Sequence, residues 1–145
     1  KNAKKFIDQY FDLYKNVKTF MERTIEEARQ CGYTVTVMNR RRYLPDLDSK
    51  NRQVREAAER MAINSPVQGS AADMIKVAMI RLHQKLAKLK SKMIMQVHDE
   101  LVFECPAKEK KEVESLVKKE MEGVWPMQVP VVVHLDWGKN WNEAH

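Results

Sequence analysis

Between Met93 and Glu104 the chain reads Met-Ile-Met-Gln-Val-His-Asp-Glu-Leu-Val-Phe-Glu, two short apolar runs flanking three consecutive ionisable residues. The pattern predicts a short hairpin of two strands with His98, Asp99 and Glu100 at the bend. A carboxylate held near a low-dielectric core loses hydration, so it takes up a proton or is compensated by a cation. Magnesium uses one or two protein carboxylates and completes its octahedron with water and substrate phosphates, which makes Asp99 a candidate metal ligand. Taken alone, the triplet more commonly means a solvated hairpin tip. Neighbours on a strand face opposite ways, so Asp99 and Glu100 do not automatically share one ion, and at least one more carboxylate is needed. No second acid has a comparable apolar strand context, and the glutamates of Lys108 to Glu122 read as a solvated helix face. The missing ligand is therefore expected outside the chain.

The rest of the sequence surrounds that hairpin with helices. Phe6, Ile7, Tyr10, Phe11, Leu13, Tyr14, Val17, Phe20, Met21, Ile25 and Ala28 recur at three- and four-residue steps, which predicts one buried helical stripe, broken near Lys15-Asn16 and capped at Gly32. Tyr33 to Met38, Asn39-Arg40 and Arg41 to Leu44 predict a short hairpin closed by Pro45. A helix through Val54, Ala57, Ala58 and Met61, capped from the polar stretch Asp46 to Asn51, is expected to break at Ser65-Pro66, with a second helix running through Met74 to Leu89. Lys108 to Glu122 predicts a helix with Val113, Leu116, Val117 and Met121 inward, and Val129 to Leu135 predicts a closing strand. Helices first and strands later give an α+β class. At 145 residues the chain is one globular core or a piece of a larger one.

A second polar group is Arg60, Asn64 and Gln68, spaced by four. On a continuous helix they align a guanidinium and two carboxamides along one face. Such a face can meet purine N3 and pyrimidine O2, the minor-groove acceptors common to all base pairs, or it can simply be exposed polar surface. Arg40-Arg41-Arg42 beside Tyr43 could grip phosphates, though a solvated charged turn is the commoner meaning. The 26 Lys and Arg against 20 Asp and Glu leave a net charge of +6, which favours a polyanionic partner without requiring one. His98 alone more often means a structural residue, and Trp137 and Trp141 read as packing anchors. Cys31 and Cys105 lack metal-ligand spacing and read as reduced thiols. No apolar run approaches the roughly 18 residues that span a bilayer, and no secretory leader is visible, so a soluble, intracellular protein is expected.

Gln96-Val-His-Asp-Glu-Leu-Val102 resembles motif C of the family A DNA polymerases, and Arg60-Met-Ala-Ile-Asn-Ser-Pro-Val-Gln-Gly-Ser-Ala-Ala-Asp73 resembles the segment that precedes it. Further similarity at Gly32-Tyr33, Arg40 to Asp46 and Gly138-Lys-Asn-Trp141 follows the order of the bacterial, polymerase I-like branch and covers essentially the whole chain. The resemblance implies that Asp99 binds the catalytic metals, that Glu100 supports it, and that His98 contacts the primer end. It implies that Arg60 touches the nucleic-acid backbone, that Asn64 and Gln68 touch the terminal base pair and its minor groove, and that Arg42 touches the template backbone. The family's motif A aspartate and its nucleotide-binding fingers helix have no counterpart here, nor do the thumb and exonuclease-like domains.

By that resemblance the chain is expected to be a fragment of a larger polymerase fold. Residues 1–86 would be fingers-derived helices and a hairpin, and residues 87–145 a palm segment carrying the motif C hairpin in a palm-type antiparallel sheet with packed helices. It would begin just after the nucleotide-binding helix and end at the carboxyl terminus of the palm. The implied function is template-directed addition of deoxynucleotides to a primer 3′ end with two Mg2+ ions, one activating the 3′ hydroxyl and the other steadying the triphosphate. The implied partners are primer-template DNA, deoxynucleoside triphosphates and the amino-terminal remainder of the polymerase, with no membrane and a cytoplasmic, nucleoid-associated location. The chain alone is expected to be inactive. Two other classes stay open at this point: a noncatalytic nucleic-acid-binding module, and a fragment that docks on a partner through the stripe Phe6 to Ile25.

Overall fold

The computed structural model describes residues 2–144. Among these residues the architecture is helical with two separate two-stranded antiparallel sheets, the α+β class expected. The chain divides into two units, the first ending at Ser70 and the second beginning at Ala71, and each is described by itself.

In the first unit α1 (Asn2–Leu13) and α2 (Lys15–Cys31) are separated at Tyr14, beside the expected break. Gly32 ends α2 with φ +81° and returns its N–H to the Ala28 carbonyl at 2.8 Å, the left-handed cap that residues with a Cβ rarely adopt. The expectation of one buried stripe is corrected. Ala28 alone of the stripe is fully buried, with Ile25 packed beside it and Phe11, Phe20 and Met21 half-buried, whereas Phe6, Ile7, Tyr10, Leu13, Tyr14 and Val17 are exposed, Phe6 to 71% and Leu13 to 74%. Periodicity establishes that these helices are amphipathic; it does not supply a surface to cover them.

Beyond Gly32, β1 (Tyr33–Val35) pairs with β2 (Arg41–Tyr43), Tyr33 opposite Tyr43 and Val35 opposite Arg41. Asn39, at φ +58°, gives its N–H to the Thr36 carbonyl and closes the tip. Leu44 N–H reaches the Gly32 carbonyl at 2.9 Å and fixes the hairpin's base. A 3-10 turn over Pro45–Asp48 buries Leu47, which with Ala28, Leu44, Ala58 and Ala62 forms the core of this unit.

The longest element, α3 (Arg52–Leu86), starts where the Asn51 side chain accepts the N–H of Gln53 at 3.0 Å, an N-cap from the polar stretch expected to provide one. The expected break at Ser65-Pro66 does not occur: the helix is continuous over 35 residues with Pro66 inside it. Proline has no N–H for the carbonyl four residues back, and in a helix interior it costs about 3 kcal/mol relative to alanine. Tertiary burial of Ala58 and Ala62 on one side of that position and of Ser70 after it outweighs the local preference.

In the second unit β3 (Lys92–Val97) and β4 (Glu100–Glu104) form the predicted hairpin, with a bulge between Met93 and Met95. Leu82 and Leu86 of α3 pack with Val113 and Val117 of α4 (Lys110–Glu122), and Met93, Leu101, Phe103, Leu116 and Met121 close around them. Three glutamates depart from the expected solvated face, one of them Glu122, half-buried and accepting the Val133 N–H at 3.1 Å. Glu120 is buried and paired with Lys85 at 2.5 Å, and Glu109 accepts the Lys90 N–H, the Ser91 N–H and the Ser91 hydroxyl, tying the turn after α3 to the start of α4. These bonds hold the Glu109 carboxyl below the usual carboxylate range, the Ser91 hydroxyl contributing most.

The expected strand over Val129–Leu135 is also corrected: that stretch has no regular structure, and Val129 and Val132 are exposed. An apolar run becomes a strand only when a neighbour satisfies its backbone, and the sheet of this unit ends at two strands. Trp137 and Trp141 are exposed and not packing anchors, Trp137 being partly covered by the Lys110 ammonium 4.7 Å from its ring centre.

Leu82 is fully buried, so Leu82→Ala should cost about 2–5 kcal/mol, read as a lower midpoint in chemical denaturation. Glu109 has a folded pKa below its unfolded value, so its contribution is present above the unfolded carboxylate pKa and fades as pH falls through the folded one. Glu109→Gln should therefore lower the thermal midpoint at neutral pH and narrow its gap to wild type in acid; a gap that grows with acidity would contradict this.

Candidate functional site

The candidate residues fall in both units, and each set is built from its own elements. In the second unit the two strands leave only His98 and Asp99 between Val97 and its partner Glu100, a two-residue turn. Such a turn needs positive φ, and His98 supplies it at +52°. Histidine, with asparagine and aspartate, visits this region more readily than other residues that carry a Cβ. Gln96 reaches across the bend, its Nε2 donating to the His98 carbonyl at 3.1 Å. His98, Asp99 and Glu100 are all exposed. The tip therefore lies in solvent and not against the core, which corrects the premise that burial within this chain makes the Asp99 charge costly.

Two hard oxygen donors at one ladder end suit a magnesium ion, which takes one or two protein carboxylates and leaves its other positions to water and phosphate. Among the described residues no group of three His, Cys, Asp or Glu gathers to hold a metal. This chain thus offers Asp99, with Glu100 beside it, as a partial donor set.

In the first unit the continuity of α3 puts Arg60, Asn64 and Gln68 on one exposed face, the alignment that a break at Pro66 would have spoiled. The three hairpin arginines, a uniform basic run in sequence, have three different environments. Arg41 stacks over the Tyr33 ring at 4.7 Å, with Tyr33 and Tyr43 edge to face at 5.6 Å. Arg42 approaches the Met61 sulfur at 3.3 Å, which brings its guanidinium alongside the third turn of α3. Arg40 donates to the Gly69 carbonyl at 3.1 Å. Sequence reasoning grouped these side chains by charge and missed that Arg40 is tied to the helix; the available signal was Pro66 and Gly69 together in a helical pattern, since a glycine there marks a close approach.

The family model for DNA polymerase family A matches residues 1–143. The chain is 51% identical over 139 residues to the thermostable DNA polymerase I of Thermus thermophilus, covering 96% of this chain and 17% of that protein. It is 51% identical over 144 residues to DNA polymerase I of Mycobacterium tuberculosis, covering 98% of this chain and 16% of that protein. Among solved structures it is similar to the polymerase domain of Pol1 from M. smegmatis in complex with DNA primer-template and dNTP, with a TM-score of 0.96 and 50% identity over 99% of this chain and 26% of that one. The chain spans about a sixth of the length of these relatives.

The left-handed turn at His98 sets a stability test independent of any ligand. His98→Gly should leave the hairpin at least as stable, whereas His98→Val should destabilise it by about 1–2 kcal/mol, measured by denaturation. Equal effects of the two would contradict a left-handed residue there.

Proposed function

The chain belongs to DNA polymerase family A, and from that premise we propose that it is the part of a DNA-directed DNA polymerase that brings a carboxylate hairpin and a polar helix face to the primer terminus. The observation that carries the proposal is the exposed two-residue turn holding Asp99, with Glu100 next to it as the first paired residue of β4, at the end of a registered ladder. An acid fixed by backbone pairing yet open to solvent can take a cation without the rearrangement that a buried carboxylate would need. Asp99 is the proposed magnesium ligand, Glu100 the supporting acid, and a carboxylate from elsewhere in the polymerase completes the set. Magnesium bound there would favour loss of the primer hydroxyl proton and neutralise triphosphate charge.

The other residues act by positioning. His98, one residue before the acid, contacts the primer end. Asn64 and Gln68 donate carboxamide N–H groups to minor-groove acceptors shared by all base pairs, so the contact follows pairing geometry and not sequence. Arg60 and Arg42 neutralise backbone phosphates, Arg60 at the primer end and Arg42 along the template. Residues 1–86 then belong to the fingers side and residues 87–145 to the palm. The partners are primer-template DNA, deoxynucleoside triphosphates and the rest of the polymerase, in a cytoplasmic, nucleoid-associated setting. Among the described residues no helix is long and apolar enough to cross a membrane.

In the complete polymerase, Asp99→Ala should lower primer extension by about two orders of magnitude or more while primer-template affinity changes little; retained extension would refute the assignment. Gln68→Ala should weaken binding or extension by a similar factor on templates of different sequence, and an effect confined to one sequence would contradict minor-groove reading. The isolated 145-residue chain should show no extension activity.

A further inference from the structure

Gln68 lies on the turn of α3 least able to hold its own geometry, with Pro66 before it and Gly69 after it. That turn is gripped from outside by the tip of the β1–β2 hairpin. Arg40 Nη2 donates to the Gly69 carbonyl at 3.1 Å. Val37 N–H donates to Ser70 Oγ at 3.0 Å, and the Ser70 hydroxyl donates onward to the Pro66 carbonyl. The approach is so close that a Cβ at position 69 would lie 2.6 Å from Thr36 Cγ2 and 3.3 Å from Arg40 Nη2. Thr36 is itself locked, its Oγ1 accepting the N–H groups of Met38 at 3.3 Å and Arg40 at 3.2 Å. Thr36 and Ser70 are buried, while Gln68 between the gripped residues is exposed.

We propose that Arg40 is a positioning residue for Gln68: with Thr36 and Ser70 it clamps the Pro66–Ser70 turn and so fixes where the Gln68 carboxamide meets the DNA. The proposal rests on the minor-groove role of Gln68 proposed above. It separates Arg40 from its basic neighbours, since a guanidinium spent on a backbone carbonyl serves helix geometry where a phosphate contact serves affinity. Gly69 then has a reason beyond conformational freedom. It is the gap through which the hairpin reaches the helix backbone.

The test is a double-mutant cycle in the complete polymerase, with Arg40→Ala, Gln68→Ala and the pair, reading primer-template affinity, extension rate, salt dependence and thermal midpoint. Arg40→Ala should reduce extension efficiency several-fold, and in the Gln68→Ala background it should reduce it no further. The slope of log affinity against log salt should stay that of the wild type, because no phosphate contact is lost; a slope smaller by about one would identify Arg40 as a phosphate ligand and overturn the proposal. Fully additive losses in the cycle would overturn it too, while leaving the Gln68 reading intact. If Gln68→Ala alone has no effect, the Gln68 reading fails and the positioning role falls with it. A second pair guards against simple misfolding: Gly69→Ala should impair extension, and adding Thr36→Ser, which removes Cγ2 but keeps the hydroxyl, should restore most of it. Failure of that rescue with normal thermal midpoints would count against the clamp.

Discussion

A helix carrying proline and glycine within one turn lacks an internal hydrogen bond and a side chain's restraint at the same place, so something outside the helix must hold it. In this chain the outside support is a hairpin only three residues long on each side. Its tip supplies an arginine to one backbone carbonyl and a backbone N–H to a serine that in turn reaches another carbonyl. The alignment of Arg60, Asn64 and Gln68 depends on that support, because a bend at Pro66 would turn Gln68 away from the other two. The Gly32 cap, the Leu44 bond to the Gly32 carbonyl and the Tyr33–Tyr43 contact all serve to bring the hairpin back toward α3 at the right height.

Much of this was legible before any coordinates. The motif C hairpin, the Gly32 cap, the Asn39 turn and the inward face of α4 follow from periodicity and turn chemistry, which are local. What was not legible depends on partners distant in sequence. Pro66 reads as a break because the rule before proline is local, while the burial that overrides it comes from Leu44 and Leu47 packing on Ala58 and Ala62. Glu109 and Glu120 read as solvated because their charges count against burial, yet Ser91 and Lys85 answer them from across the fold. At the site, the residue types and their spacing were readable, whereas the separate environments of Arg40, Arg41 and Arg42 were not.

The two stretches where the apolar pattern failed share one cause. The stripe from Phe6 to Val17 and the run from Val129 to Leu135 both carry residues suited to burial, and most of the first and Val129 and Val132 of the second are exposed. Pattern reports what a segment is made to pack against; it does not report whether that surface lies in the same 145 residues. A chain spanning a sixth of its relatives' length is where those two things come apart. The tip acids fit the same logic under the proposed role, in which a carboxylate from elsewhere in the polymerase completes the ligand set.

The two-residue connection between Val97 and Glu100 has a consequence for how this segment can vary. Side chains on paired strands alternate faces with a period of two, so sliding one arm past the other by a single residue would turn every side chain on that arm to the opposite face. The bulge after Met93 already uses one such inversion to bring Gln96 opposite Leu101 and Val97 opposite Glu100. What the bend must keep is the pairing of Val97 with Glu100, since that pair sets which face each later residue takes. A variant that keeps that pair keeps the arrangement of both arms, whereas one that lets it slip exchanges the inner and outer faces of a strand at a stroke.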